Sequence, residues 1–512
     1  MDPLKKARLS AYLNHHPGAF AVDDTTWDDL NMDDVFDAVN RNSSTLGEEM
    51  LYAALRTPEL TEEPLLCMEE RIGEYRKDKE GLHKTRSALE SLGKLKKISV
   101  FEYLYALDRI EEKSMFSLLL PCILLLVSLT AFFFSVTAGV ILFVAVYAYN
   151  TSAYFRLNAK IKPYLVCFSY LSLAIRTGKK MPFADQDTVK KLWPVTGGTF
   201  LLGGLRGETA NGGSGNPLDL LLDLLKMGFH FDILKFYSMY GFVKKNHELI
   251  EEYLVSVGRI DLLISVGDLR ESLAGKRGGK AYCIPSFTGM KRIRMEEAYH
   301  PLLKDPVANS VDTSRGILLT GSNASGKSTF LKCVALNAIF AQTLHTCFAS
   351  EYEGAMFRTI SSMSHRDDIL SGESYYMAEI RAMKRILVLI DQKNETNPVL
   401  CFVDEILSGT NTKERIAAGA KILEYLNGHG ALTFAATHDI ELTDILKEEY
   451  VNYHFKEEIS ENDISFSYRL LPGPADSKNA IRLLALMDFP AELVKDAEEY
   501  CISLFREEAD MI

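Results

Sequence analysis

Leu318-Leu-Thr-Gly-Ser-Asn-Ala-Ser-Gly-Lys-Ser-Thr-Phe330 decides the fold of the C-terminal half of this chain. An apolar run leads into Gly321-x-x-x-x-Gly326-Lys327-Ser328, the spacing of a phosphate-binding loop between a strand and a helix. Each residue type has a chemical reason. Glycines let backbone N–H groups curl round phosphate oxygens, Lys327 can reach the β and γ oxygens, and the Ser328 hydroxyl suits Mg²⁺. The helix that follows turns its positive end toward the same anion. Gly321, Ser322, Asn323, Ala324, Ser325, Gly326, Lys327, Ser328 and Thr329 are therefore the expected ATP-binding residues.

Downstream, Val399-Leu-Cys-Phe-Val403 reads as a buried strand ending in Asp404-Glu405. A carboxylate there can hold Mg²⁺, and its neighbour can orient or deprotonate the attacking water. Thr433-Phe-Ala-Ala-Thr-His438 reads as another strand with a polar end, which brings His438 toward the γ-phosphate or the water. Glu405 and His438 are the expected catalytic pair, and Ser328 with Asp404 the expected Mg²⁺ ligands. From about residue 281 short apolar runs alternate with helical patterns, the signature of an α/β domain.

Upstream the pattern is mostly helical. Residues 114–155 hold no charged residue, a run of 42. One straight helix of that length would measure roughly 63 Å, about twice a ~30 Å hydrocarbon core. Two passes with a turn near 135–139 fit better, and the predicted element is a transmembrane hairpin in contact with lipid. The first arm, 116–134, carries 13 Leu, Ile, Val or Phe residues, worth roughly −4 to −8 kcal/mol of gross insertion energy. The second arm, 136–149, carries seven, worth roughly −2 to −4 kcal/mol. Arg109 and Lys113 precede the run, and Arg156, Lys160 and Lys162 follow it. Positive flanks with an uncharged turn place both ends, and the ATPase domain, on the cytoplasmic side of the cytoplasmic membrane. The alternative is a buried hairpin in a soluble core, although core helices rarely lose all charge for so long.

The domains read as 1–113, a first helical region; 114–155, the hairpin; 156–280, a second helical region; and 281–512, the ATPase domain. Residues 197–215 carry eight glycines without a strand-then-helix context, which predicts a surface loop. The charged stretch 69–97 reads as a solvated helix face. A net charge of −12 argues against a uniformly basic nucleic-acid binder. Eight scattered cysteines without a Cys-x-x-Cys pair suit free thiols, not a disulfide frame or a structural metal. The first residues lack the apolar run of a secretory signal.

The order of motifs, with Ser371-Gly-Glu-Ser374 between the two halves of the site, looks like the ABC class of ATPases, in which two protomers sandwich the nucleotide. More specifically, the residues resemble the MutS family. Thr320-Gly-Ser-Asn-Ala-Ser-Gly-Lys-Ser-Thr329 is similar to its Thr-Gly-Pro-Asn-Met-Gly-Gly-Lys-Ser-Thr loop. Asp404-Glu-Ile-Leu-Ser-Gly-Thr-Asn-Thr412 resembles its Asp-Glu-Ile-Gly-Arg-Gly-Thr-Ser-Thr, and Ala436-Thr-His-Asp-Ile-Glu-Leu-Thr443 its Ala-Thr-His-x-x-Glu-Leu-Thr. Gly372-Glu-Ser-Tyr-Tyr-Met-Ala-Glu379 resembles its trans-acting Gly-x-Ser-Thr-Phe-Met-x-Glu, which implies that Ser374 contacts a partner's ATP. Tyr299-His-Pro-Leu-Leu303, Asn309, Leu471-Pro-Gly, Ser477 and Phe489-Pro-Ala-Glu-Leu-Val494 extend the likeness over about 282–505. Ser44-Thr-Leu-Gly-Glu-Glu-Met50 resembles the start of the family's helical lever domain.

The resemblance implies a P-loop ABC-class fold behind a lever-like helical region, an ATP and Mg²⁺ requirement, and a dimer. It also implies binding of mismatched or branched DNA in repair or recombination. The chain departs from the family in several places. The reading expects no mismatch-reading domain ahead of the lever-like segment and no nuclease domain after the ATPase. The hairpin interrupts the helical region, and Pro306 stands where the family often carries an aromatic against adenine. These departures set a second reading beside the first: a membrane-anchored mechanochemical ATPase acting on a membrane or protein partner.

Overall fold

The computed structural model describes residues 1–197, 224–225, 227–274, 281–322, 325–363, 375–392, 397–459, 464–475, 489–497 and 499–500. Asn323, Ala324, Ser374 and Ser477 lie outside them, as does nearly all of the glycine-rich stretch 197–215. The described residues form two compact units.

The helical unit comprises Met1–His16, Asn40–Ala53 and Glu70–Gly267. Its apolar run folds as helix Met115–Thr130, a 3-10 turn Ala131–Phe133, and helix Val136–Gly178 of 43 residues. Ser114 and Ser135 set the two starts, their hydroxyls accepting from Ser117 N and Ala138 N at 3.3 and 3.4 Å. The bend therefore falls at 131–135, a few residues before the stretch read from sequence, because Ser135 caps the returning helix. Leu118, Cys122, Leu125 and Ser128 form the buried stripe of the first arm. The remaining faces are apolar and exposed, and Phe133 and Phe134 at the tip are each 90% exposed.

Elsewhere in this unit polar groups fix the helix ends. The Asp261 carboxylate accepts from Ser44 N at 2.7 Å and Ser44 Oγ at 2.6 Å, holding the start of the helix that begins at Thr45. A Cβ on Gly47 would stand 2.3 Å from Asp261 Oδ2, so this contact requires glycine there. Burial pushes Asp261 up to about 6 against the hydrogen bonds from Ser44 and Ser43.

The α/β unit comprises Pro17–Val39, Ala54–Glu69 and Asp268–Ile512. Two stretches from the first 69 residues thus join the C-terminal half, whereas the sequence reading kept 1–113 together. The strands are β1 Ser286–Phe287, β2 Ile293–Ala298, β3 Asn309–Thr313, β4 Gly316–Thr320, β5 Glu351–Gly354, β6 Arg358–Ser362, β7 Val399–Asp404, β8 Leu432–Ala436, β9 Tyr450–Ile459 and β10 Ile464–Pro472. A four-stranded sheet runs β1-β5-β2-β3 and a six-stranded sheet runs β10-β9-β4-β8-β7-β6. In the larger sheet all neighbours are parallel except β9 and β10. Strands β4 and β8 are wholly buried, as expected for a parallel sheet covered on both faces.

Strand β6 is an edge, and helix Asp24–Asp29 covers it. Ser361 N donates to Thr26 Oγ1 at 3.1 Å, while Ser361 Oγ and Met363 N donate to Asp29 Oδ2 at 2.7 and 2.9 Å. Arg385 pairs with Asp23 on the same side. Residues 54–69 join through Gln342, which bonds Glu59 in both directions, and through Asn397 donating to Leu60 O. Farther along, Glu69 accepts both arms of Arg270 at 2.9 and 2.8 Å. Burial would raise the Glu69 carboxyl, but the hydrogen bonds from His345 and Arg270 outweigh it and hold it at about 2.

Candidate active site

The carboxyl ends of β4, β7 and β8 converge, which is where open α/β sheets place ligands. A cavity of about 510 Å³ opens there, and its wall includes Ser322, Gly326, Lys327, Ser328, Asp404 and Glu405. Gly321 and Gly326 take φ of 139 and 112, values that favour glycine. A Cβ on Gly321 would also press to 2.9 Å from Phe455 O, so the loop turns against β9. Lys327 Nζ lies 2.6 Å from Gly321 O and 2.8 Å from Ser322 O, across the loop's mouth. The buried hydroxyl of Ser325 has no hydrogen-bond partner among the described residues. Thr329 also reaches the cavity from helix Lys327–Thr343.

Asp404 ends β7, and the next residue turns sharply. Glu405 has φ 61 and donates its N–H to Ala436 O at 3.0 Å, which ties the turn to the end of β8. His438 Nε2 lies 3.3 Å from Glu405 Oε1, so two residues read from separate motifs form one pair. Asp439 beside it takes a two-pronged contact from Arg415 at 2.8 and 2.6 Å. Glu379, only 3% exposed, accepts from Ser408 Oγ at 2.5 Å, Ser408 N at 3.1 Å and Gly409 N at 3.2 Å. It joins helix Tyr375–Ile390 to the loop that follows Glu405. Such a buried carboxylate satisfied by three donors fixes loop geometry.

Two aromatic residues of the wall have no role in the sequence reading. Tyr468 and Phe455 bring aromatic rings to the cavity beside Gly326 of the phosphate loop, and Pro306 lines the same cavity. Tyr468 sits at φ 52 where the β9–β10 register shifts between Phe466 and Leu470. Asn309 clamps this irregularity, donating to Tyr468 O at 3.0 Å and accepting from Leu470 N at 2.7 Å. The only local signal for Tyr468 was its place just before Leu471-Pro-Gly. His300, also on the wall, is buried, and burial lowers its imidazole to about 4 with Lys332 adding to the effect. It is neutral at pH 7 and brings no charge to the phosphate site.

A glycine-framed phosphate loop, an acidic pair at the next strand end and a histidine from a third define a P-loop ATPase domain of the α/β class. The family model for MutS domain V matches residues 317–505. DNA mismatch repair protein MutS of Streptococcus pyogenes serotype M18 (strain MGAS8232) is 29% identical over 268 residues, 50% of this chain and 31% of that protein. The protein of the same name from Geobacillus sp. (strain WCH70) is 28% identical over 276 residues, 51% of this chain and 31% of that one. The chain carries a MutS-family ATPase domain, with homology to MutS over half its length. It spans about a third of the length of these relatives.

Proposed function

We propose that this protein is a membrane-anchored MutS-type ATPase in which Mg²⁺-ATP binding closes a dimer and hydrolysis reopens it, working on the attached helices. The observation that carries the anchoring is the surface of the hairpin. Only 22% of the most apolar window in Met115–Phe133 and 11% of that in Val136–Gly178 is buried. A soluble core would cover such helices. Exposed apolar surface around helices of this length suits lipid.

In this reading Lys327 and the loop amides hold the β- and γ-phosphates. The Ser328 hydroxyl and Asp404 carboxylate have the hard-oxygen chemistry that Mg²⁺ prefers; they would hold the ion, which neutralises phosphate charge. Glu405 orients the attacking water, with His438 beside it sensing the γ-phosphate. Tyr468 offers a face for the adenine ring. Ser374 from a second copy completes the site, in keeping with a family whose members are typically dimers.

A second reading, binding of mismatched or branched DNA, is favoured by the name of the relatives, whose likeness to this chain covers half of it. One preparation separates the two. Membranes are washed with alkaline carbonate, extracted with detergent, and assayed for ATPase activity with and without mismatched or forked duplex at low salt. The anchored reading expects protein that resists carbonate and hydrolyses ATP without DNA. Release by carbonate overturns the anchor; junction binding that persists at physiological salt supports the DNA reading.

A further inference from the structure

Within the helical unit the hairpin has a companion. Residues 224–225 and 227–231 run along it, and their backbone carbonyls are met by hairpin side chains. Tyr147 OH donates to Leu224 O at 3.0 Å, and Cys122 Sγ to Phe229 O at 3.0 Å. Asn150 Nδ2 donates both to Gly228 O at 3.1 Å and to Pro121 O at 2.9 Å. In return His230 Nε2 lies 2.9 Å from Asn150 O. A Cβ on Gly228 would stand 3.0 Å from Tyr147 Cε2 and 3.2 Å from Leu125 Cδ2, so the backbone is seated between the two arms. His230, at φ 53, turns the chain into helix Phe231–Lys245.

Residues 224–225 and 227–229 are helical and end in a turn at His230; carbonyls at a helix end are ordinarily hydrated, and leaving them bare in an apolar medium costs several kcal/mol on the usual scale. Here Tyr147, Asn150 and Cys122 supply the donors that water would. On the outer side Leu224, Leu225 and Phe231 are 41, 42 and 45% exposed, a surface as apolar as that of the hairpin. Asn150 also fixes the level. It joins Gly228 to Pro121, six residues beyond Met115, hence about 9 Å along the first arm at ~1.5 Å per residue. The 19-residue span Met115–Phe133 is itself about as long as a ~30 Å hydrocarbon layer is thick.

We propose that residues 224–225 and 227–231 form a third membrane element, a segment seated in the lipid beside the hairpin, with Gly228 about 9 Å along the first arm and Leu224, Leu225 and Phe231 presented to the acyl chains. The proposal rests on the membrane reading above, and the test separates the two.

Full-length protein carrying the photocrosslinker p-benzoylphenylalanine at Leu225, at Phe231, or at Val127 on the first arm is reconstituted in phosphatidylcholine vesicles and irradiated. Lipid adducts are then counted by mass spectrometry. The expected result is lipid adducts at all three positions. Adducts at Val127 with none at Leu225 and Phe231 overturn the third membrane element and leave the hairpin in the membrane. Adducts at none of them sink the membrane reading, and the segment with it. Asn150→Leu, which removes the shared donor, should lower the Leu225 adduct at least threefold while leaving Val127 unchanged. Equal yields at Leu225 would overturn the role given to Asn150.

Discussion

Glu405 occupies a left-handed backbone conformation that a non-glycine residue adopts at a cost of about 1–3 kcal/mol. The bond from its N–H to Ala436 O and the loop anchored by Glu379 hold it there, with His438 at 3.3 Å. Replacing the carboxylate while keeping its shape isolates the chemistry. Glu405→Gln should retain ATP binding, measured with a fluorescent nucleotide, and lose turnover by about 10²-fold or more. A second residue-scale expectation concerns pH. Glu49 is fully buried, with Ser99 Oγ donating to Oε2 at 2.9 Å and no partner on Oε1 among the described residues. Burial pushes its carboxyl up to about 8 from 4.5, against the Ser99 bond. The folded state therefore holds a proton that the unfolded chain releases. Its stabilisation is complete in acid, below the unfolded value, and is lost as pH rises through about 8. The melting temperature should fall between pH 5 and 8, and Glu49→Gln should flatten that slope.

Among the elements, those with short-range signatures were legible. The β4-loop-helix unit, the strand ends at Asp404 and Ala436, and the two apolar arms each declare themselves within a dozen residues, through spacing or hydropathy alone. The β10 bulge was not. Tyr468 reaches the cavity only because a register shift and an Asn309 clamp 159 residues upstream turn it there, and neither leaves a local pattern. That clamp gives an element-scale prediction. Tyr468→Ala should raise the KM for ATP about tenfold, within the ~1–3 kcal/mol typical of a base on an aromatic face. Asn309→Ala should move KM in the same direction with kcat little changed. Steady-state kinetics across ATP concentrations checks both.

At the scale of the molecule, the units are not contiguous in sequence. Residues 17–39 and 54–69 belong with the ATPase half, and no periodicity in them announces it, since pairing with a distant strand edge demands only a few donors and acceptors. Asp29, at 1% exposure, does much of this through two bonds to the β6 end. A fragment of 281–512 alone would leave that edge open, and open edges associate. It should aggregate in size-exclusion chromatography, whereas the same fragment mixed with a 17–69 peptide should elute as a smaller species.

The interleaving also sets an order of events during synthesis. Ser361 lies 335 residues after Thr26, its partner across the sheet edge. At a ribosome speed of roughly 5–20 residues per second, the covering helix waits about 17 to 67 s for the strand it will shield. The apolar hairpin leaves the exit tunnel during that wait. Trp27, fully buried in the finished protein, has its near neighbours Asp33 and Arg56 during the interval but not the strand edge, and would be a natural foothold for a chaperone on the nascent chain.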